Sequence, residues 1–357
     1  MVILKQGEIE ISGRKIGLNY PPLVIAEIGI NHGGSIAAAF ELVRSAHSAG
    51  VEVIKHQTHV IDDEMSEMAR GAIPGNTDVS IYDVISRCML SEEEERSLQE
   101  YVESLGMIFF STPFSREAAN RLNRMNIPAY KIGSGECNNY PLLRHIAAFG
   151  KPVILSTGMN DIKSIKKAVS IFQNAETSIA ILHTTSVYPT PSHLVRFGAM
   201  VELAQAFPNL VYGLSDHTQT NIACLGAIAL GASIVERHYT DTMDRKGPDI
   251  VVSMDESTCR HLLRDSKEIA QMRGGTKNPV AEEEITMAFA FSTVCTIAPI
   301  KAGDVFTSKN IWVKRPGTGG IGAEHFDGIL GQKATIDLTS GVHLKLADIE
   351  SPCPHEK

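Results

Sequence analysis

"VEVIKHQTHV", residues 51–60, begins as a strand bound for a core and finishes in Lys55, His56, Gln57 and His59, groups that are costly to bury. Such a run decides the fold only if it recurs, and it recurs seven more times. The others are "PLVIAEIGINH" (22–32), "MIFFSTPF" (107–114), "PAYKIGSGE" (128–136), "PVILSTGM" (152–159), "SIAILHTTSVYP" (178–189), "LVYGLSDHT" (210–218) and "SIVERHYT" (233–240). Between them lie segments of helical period, among them "AAAFELVRSAHSAG", "EEEERSLQEYVESLG" and "DIKSIKKAVSIFQNA", several ending at a glycine (Gly50, Gly106, Gly150). Eight buried strands alternating with helices predict a parallel sheet closed as an α/β (β/α)8 TIM barrel. The open doubly wound sheet is the alternative, but no G-x-G-x-x-G follows the first strand.

The rest of the chain bounds this reading. With 357 residues and 43 % apolar content there is enough for one large domain and a small one. After Gly275 the texture changes, so the expected division is a barrel over 1–275, a linker over 276–287 and a small glycine-rich domain of short strands over 288–351. Residues 60–91, containing "IPGNTD", are expected to form a long loop over the site. The six cysteines lack a C-x-x-C pair and read as buried free thiols. The net charge of −8 and the absence of a basic run argue against nucleic acid or an anionic membrane as partner. The N-terminal residues carry no leader features, and a cytoplasmic location is expected.

In a barrel the C-terminal strand ends form one mouth, where polar side chains face a cavity. Collected there are Glu27, Asn31, Lys55, Gln57, Ser111, Thr112, Lys131, Ser134, Glu136, Ser156, Thr157, His183, Thr184, Ser215, Asp216, His217, Glu236 and His238. Two lysines among hydroxyls, with the glycines of "GSGE" and "STG", suit an anionic phosphate or carboxylate. His217 and His238 end neighbouring runs, so their imidazoles are placed to share one Mn2+, Fe2+ or Zn2+ ion with open positions. Glu27 is a support for a metal ligand, an ion-pair partner or a general base, and spacing does not choose among these.

The stretches "AEIGINHGGS", "KHQTHVIDDEM", "IPGNTDVSIYD", "AYKIGSGECNNYP", "YPTP", "GLSDHT", "ERHYTD" and "MDRKGPD" together resemble the bacterial N-acetylneuraminate (sialic acid) synthases. The likeness runs from about residue 20 to about 350, and "IKAGDVFTSKNIWVKRPGTG" is similar to that family's antifreeze-like (SAF) domain. The resemblance implies condensation of phosphoenolpyruvate with open-chain N-acetylmannosamine, C–O bond cleavage, and a divalent metal, most commonly Mn2+ with Mg2+ or Co2+ as alternatives. Carried onto this chain, it assigns Glu27 as the catalytic acid or base and His217 and His238 as metal ligands. It assigns Lys55, Thr112, Lys131, Ser134, Ser156 and Ser215 to phosphoenolpyruvate. Gln57, Asn76, Glu136, Tyr188 and Asp249 fall to the sugar, with Arg315 reaching the acetamido group from the antifreeze-like domain of a partner, which implies a domain-swapped homodimer.

One departure stands out: many bacterial members carry Asn where this chain has Ser186, next to the sugar. Legionaminic and pseudaminic acid synthases, which share these motifs and take modified sugars, are the first alternative. A pyruvate aldolase using Lys131 as a Schiff-base lysine and a passive carbohydrate- or ice-binding scaffold are the others.

Overall fold

The structure is a computed structural model, and it describes residues 7–75 and 77–350. Eight parallel strands close into a barrel: β3 (Leu23–Gly29), β4 (Val53–Thr58), β5 (Ile108–Pro113), β6 (Tyr130–Ile132), β7 (Val153–Ser156), β8 (Ile179–Thr184), β9 (Val211–Asp216) and β10 (Ile234–His238). Each pairs with the next, and β10 closes on β3. The helices between strands start where the sequence supplies a cap. Ser35 accepts from Ala38 N–H at the head of helix Ile36–Ala49, and Ser91 and Glu94 form a capping box on helix Glu92–Ser104. Gly50, at φ +93°, stops the first of these in the left-handed conformation that a glycine adopts without strain.

A period of two sorts the strand residues between two cores. Ile54, Phe109, Leu155, Ile181, Leu214 and Val235 point outward and pack under the helices. Ile25, Val53, Phe110, Ala129, Ile154, Leu182 and Ile234 point inward and fill the barrel. The lower end of this interior is stoppered by a hairpin that the strand count did not include, β1 (Ile9–Ile11) and β2 (Arg14–Ile16). Its alternation "IEI" and "RKI" puts Ile9, Ile11 and Ile16 into the barrel cluster. Ser12 and Gly13 turn it with positive φ, as a tight hairpin requires.

Residues 60–91, expected as one long loop over the site, carry helical structure of their own. They fold as helix Ile61–Glu64, a 3-10 turn at Glu67–Gly71 and helix Ile81–Cys88, with Ile61, Val84 and Ile85 packed on Ile30 in a small apolar cluster. The chain divides into two compact units between Gly274 and Gly275. In the second unit helix Glu284–Ala290 lies across the end of the expected linker, and β11 (Thr293–Thr296) pairs antiparallel with β12 (Ile311–Lys314) over a core that includes Val294, Phe306, Ile311 and Leu344. Cys88, Cys137, Cys224, Cys259 and Cys295 are free thiols; Cys353 lies outside the described residues. Among the described residues no helix is long and apolar enough to cross a membrane.

Candidate active site

Two residues above the inward apolar layer, every barrel strand presents one polar side chain. The ring reads Glu27, Lys55, Thr112, Lys131, Ser156, Thr184, Ser215 and Glu236, and all eight line one cavity of about 360 Å³ at the C-terminal strand ends. This accounts for the polar ending of "VEVIKHQTHV". Lys55 and Gln57 follow Val53 on the inward face, while His56 faces outward, where its Nε2 lies 3.2 Å from His32 Nε2. Parity sets other strand-end groups outside the site as well. Ser111 pairs with Thr58, His183 bonds the Val195 carbonyl, and Asp216 accepts from Thr218 beside the buried Arg237. Asn31 donates to the Tyr239 carbonyl and to Ser253.

The ring is a charge network. Lys55 Nζ lies 2.5 Å from Glu27 Oε2 and 3.7 Å from Glu236 Oε1, and donates to Thr112 Oγ1 at 3.1 Å. Lys131 Nζ donates to Ser156 Oγ at 2.7 Å and sits 3.6 Å from the same Glu236 oxygen, which also accepts from Ser215 Oγ at 3.2 Å. Gln57 Nε2 holds the other Glu27 oxygen at 2.7 Å. Burial works against the charge on Lys55, yet Glu236 and Glu27 outweigh it and raise its pKa. Burial wins at Lys131, pushed down to about 8 with Glu236 offsetting part of it. Burial also opposes ionisation of Glu236, but the two lysines, Lys131 foremost, hold its pKa below the ordinary value. The lysines thus do pair with carboxylates, as strand-end lysines of purely structural role would. What distinguishes them is the hollow they face.

Ser134, on the turn after β6, completes this wall. Gly158 N–H donates to its Oγ at 3.0 Å, and a Cβ at Gly158 would stand 2.8 Å from that oxygen and 2.6 Å from Ser186 Oγ, so only glycine admits both hydroxyls. His217 and His238 line the same cavity with ring centroids 5.6 Å apart, and Tyr188 lies 4.0 Å from the His217 ring. His217 donates Nδ1–H to the Thr185 carbonyl, leaving Nε2 as a lone pair, and burial followed by the neighbouring His238 holds the ring neutral, down to about 3. His238 Nδ1 is buried without a hydrogen-bond partner, 3.6 Å from Asp249 Oδ2. Among the described residues no three His, Cys, Asp or Glu side chains converge as a closed metal cluster. The free Nε2 lone pair of His217 and the orphaned Nδ1 of His238 fit an ion that draws its remaining ligands from water or substrate.

A second cavity of about 470 Å³ adjoins the first, sharing Gln57, Phe114, Tyr188 and His238. It adds Asp249, His59 and Glu64 and an apolar wall including Ile30, Ile81, Val84 and Ile85. Glu136, expected beside the sugar, is absent from both: it lines a third cavity of about 500 Å³ and accepts from Asn139 Nδ2 at 2.5 Å, because the 3-10 turn Ser134–Glu136 carries it away from the mouth. Asn76 lies outside the described residues. Arg315 is exposed in the second unit. The sequence reading noted Glu236 and Thr184 as strand ends but gave neither a role. Counting two residues on from each inward apolar position would have placed both in the ring.

The NeuB family model matches residues 42–278, and the SAF domain model residues 294–350. The chain belongs to the NeuB family. NeuB-family members are sialic-acid-type synthases that join phosphoenolpyruvate to an amino sugar. The chain is 32 % identical to the N,N'-diacetyllegionaminic acid synthase of Campylobacter jejuni, covering 88 % of this chain and 96 % of that protein. It is 29 % identical to human N-acetylneuraminate-9-phosphate synthase, covering 93 % and 94 %. Among solved structures, the N-acetylneuraminic acid synthetase of Leptospira borgpetersenii in complex with citrate superposes with a TM-score of 0.73 at 28 % identity, over 80 % of this chain and 97 % of that one. Membership in the NeuB family displaces the pyruvate-aldolase and passive-scaffold alternatives.

Proposed function

We propose that the chain is an N-acetylneuraminate synthase, condensing phosphoenolpyruvate with open-chain N-acetylmannosamine. The observation that carries the choice of acceptor is the second cavity. Its described lining offers amide, imidazole, hydroxyl, carboxylate and apolar groups but no lysine or arginine, which suits a neutral N-acyl sugar and disfavours a sugar phosphate. In the first cavity Lys55, Lys131, Thr112, Ser134, Ser156 and Ser215 hold the anionic substrate and the departing phosphate. C3 of phosphoenolpyruvate bonds to the aldehyde carbon, C2 becomes cationic, water adds there, and the C–O bond to phosphate breaks. Glu27, tied to Lys55 and Gln57, takes the proton of that water, and Gln57, Tyr188 and Asp249 orient the sugar. His217 and His238 would hold a divalent cation, Mn2+ first and Mg2+ or Co2+ next, which when bound polarises the aldehyde oxygen.

In the same reading the active unit is a cytoplasmic homodimer, with Arg315 acting on the partner's site. Helix Glu284–Ala290 supports an additional copy as its cover, since it has no buried residue and Ile285 and Phe289 are exposed. A second reading, an acceptor bearing two acetamido groups, is favoured by the apolar wall of the second cavity and by the Campylobacter relative. Phosphate release from phosphoenolpyruvate is measured against N-acetylmannosamine, its 6-phosphate and a 2,4-diacetamido sugar. N-acetylmannosamine is expected to give the highest kcat/KM. Preference for the 6-phosphate overturns the argument from the cation-free lining, and preference for the diacetamido sugar installs the second reading.

A further inference from the structure

Seven members of the polar ring are tied to a neighbour through the lysine, glutamate and hydroxyl contacts given above. Thr184 is the exception. It is 3 % exposed, and its Oγ1 is the one threonine hydroxyl among the described residues that is buried without a hydrogen-bond partner. Other buried threonines of the barrel are satisfied: Thr157 donates to the Leu182 carbonyl at 2.8 Å, and Thr58 pairs with Ser111 at 2.8 Å. An unmade bond on a buried hydroxyl is costly, and a valine of the same shape would avoid the cost. Something other than the unliganded protein therefore accounts for a hydroxyl here.

The position says what. Thr184 ends β8, two residues beyond the inward Leu182, and borders the central cavity. Its rung partner on β9 is Ser215, and on β7 Ser156 stands in register with Leu182. Adjacent strands lie about 4.8 Å apart. Thr184 is thus set between the Ser156–Lys131 pair and Ser215, inside the arc of donors already described. The side chain is β-branched, so one step of χ1 exchanges its methyl and hydroxyl toward the cavity. We propose that the Thr184 hydroxyl is a further hydrogen-bond donor to the anionic oxygens of the substrate, whether phosphoryl or carboxylate. This rests on the anion-site reading above and adds to it a contact on β8, a strand that otherwise contributes none.

The test compares wild type with Thr184→Val and Thr184→Ser by thermal unfolding, without ligand and with saturating inorganic phosphate or phosphoenolpyruvate, and by steady-state kinetics. Thr184→Val should melt at the wild-type temperature or above it without ligand, because an orphan hydroxyl has become a methyl. Its stabilisation by ligand should shrink, its KM for phosphoenolpyruvate should rise about tenfold, as loss of one bond to a charged group implies, with kcat changed less, and Thr184→Ser should restore both. Shrinkage with phosphate as well as phosphoenolpyruvate places the contact at the phosphoryl end, and shrinkage with phosphoenolpyruvate alone places it at the carboxylate. Wild-type ligand shifts and KM in Thr184→Val overturn the inference. If neither anion stabilises wild type, the anion-site reading itself falls and this inference with it.

Discussion

Replacing Glu236 with glutamine probes a cavity in which one carboxylate serves two lysines. Glu236 Oε1 lies 3.7 Å from Lys55 Nζ and 3.6 Å from Lys131 Nζ. Lys55 retains Glu27 at 2.5 Å in the variant, whereas Lys131 keeps the Ser156 hydroxyl, the Ile132 carbonyl and the more remote charge of Glu27. An opposite charge at this range supports a pKa by about 1 to 3 units, so Lys131 falls from about 8 to roughly 5 to 7. A neutral amine gives up a charge-assisted bond to the anion, about 1.5 to 3 kcal/mol, or about ten- to a hundredfold in affinity for phosphoenolpyruvate. The assay is KM for phosphoenolpyruvate from about pH 6.5 to 9.5, a range in which the substrate's phosphate, with a second pKa of about 6, is mostly ionised. In wild type KM should hold until about pH 8 and then climb as Lys131 loses its proton. In Glu236→Gln, with Lys131 at roughly 5 to 7, KM should already be raised near pH 6.5 and the climb above pH 8 should be lost. Superimposable alkaline limbs would refute the reasoning.

Stability gives an independent check because its sign is opposite. Lys131 has a folded pKa of about 8 against 10.5 in the unfolded chain, so the unfolded state binds more protons between those values. The Lys131 contribution to stability accordingly rises with pH across the window in which affinity falls. A wild-type stability that collapses in parallel with affinity would point to alkaline unfolding instead.

Chelation should abolish phosphate release, and calorimetry with Mn2+ should show binding lost in His217→Ala and in His238→Ala; full activity in verified metal-free enzyme refutes the ion. Gly158→Ala pushes a Cβ against Ser186 Oγ and Ser134 Oγ, so KM for phosphoenolpyruvate should rise several-fold with little change in melting, and an unchanged KM removes Ser134 from the anion site. Glu95, beneath the helix layer, has both carboxylate oxygens buried without hydrogen-bond partners, and burial raises its pKa to about 8 even with Arg121 3.4 Å away. A folded value above the unfolded 4.5 means stability lost as pH climbs between the two, so the melting advantage of Glu95→Gln over wild type should grow from about pH 5 to pH 9; a constant difference contradicts it. Co-expressed Glu27→Ala and Arg315→Ala chains should regain activity that neither has alone, since a mixed dimer assembles one intact site; mixed dimers as inactive as their parents would put Arg315 in its own chain's site.

The barrel was legible because eight buried runs and their helices repeat one pattern, and the mouth was legible because polar groups cluster where those runs end. Facing was harder to see. Both faces of a barrel strand are buried, so hydropathy does not alternate along β4 or β9 as it does in the hairpin β1–β2. Ser111, His183 and Asp216 therefore read as site residues until the inward layer of Val53, Phe110, Leu182 and Ile234 supplies the parity. Glu136 was lost for a different reason: its direction is set by a 3-10 turn and a bond to Asn139, neither of which has a periodic signature. The N-terminal hairpin alternates as a half-exposed antiparallel pair should, but its strands are three residues each, too short for a periodic signature to stand out.

The same parity governs how a substitution scan of the two histidine motifs should be interpreted. In "SDHT" and "ERH" the residues facing the cavity are Ser215, His217, Glu236 and His238, and those between them, Asp216 and Arg237, stand in register on the outer face. Arg237 is 1 % exposed, with its guanidinium 3.5 Å from Asp216 and bonded to Asn221 and the Thr218 carbonyl. Removing either partner strands a buried charge at a cost of about 3 to 5 kcal/mol, enough to loosen β9 and β10 together. Activity lost in Asp216→Ala or Arg237→Ala would come with lost stability, and the two losses should track each other in a denaturant series. Activity lost in His217→Ala should come with little of it, because that side chain faces a hollow that water or substrate fills. The ratio of the two effects thus sorts adjacent residues of one motif into those that hold the strands and those that meet the substrate.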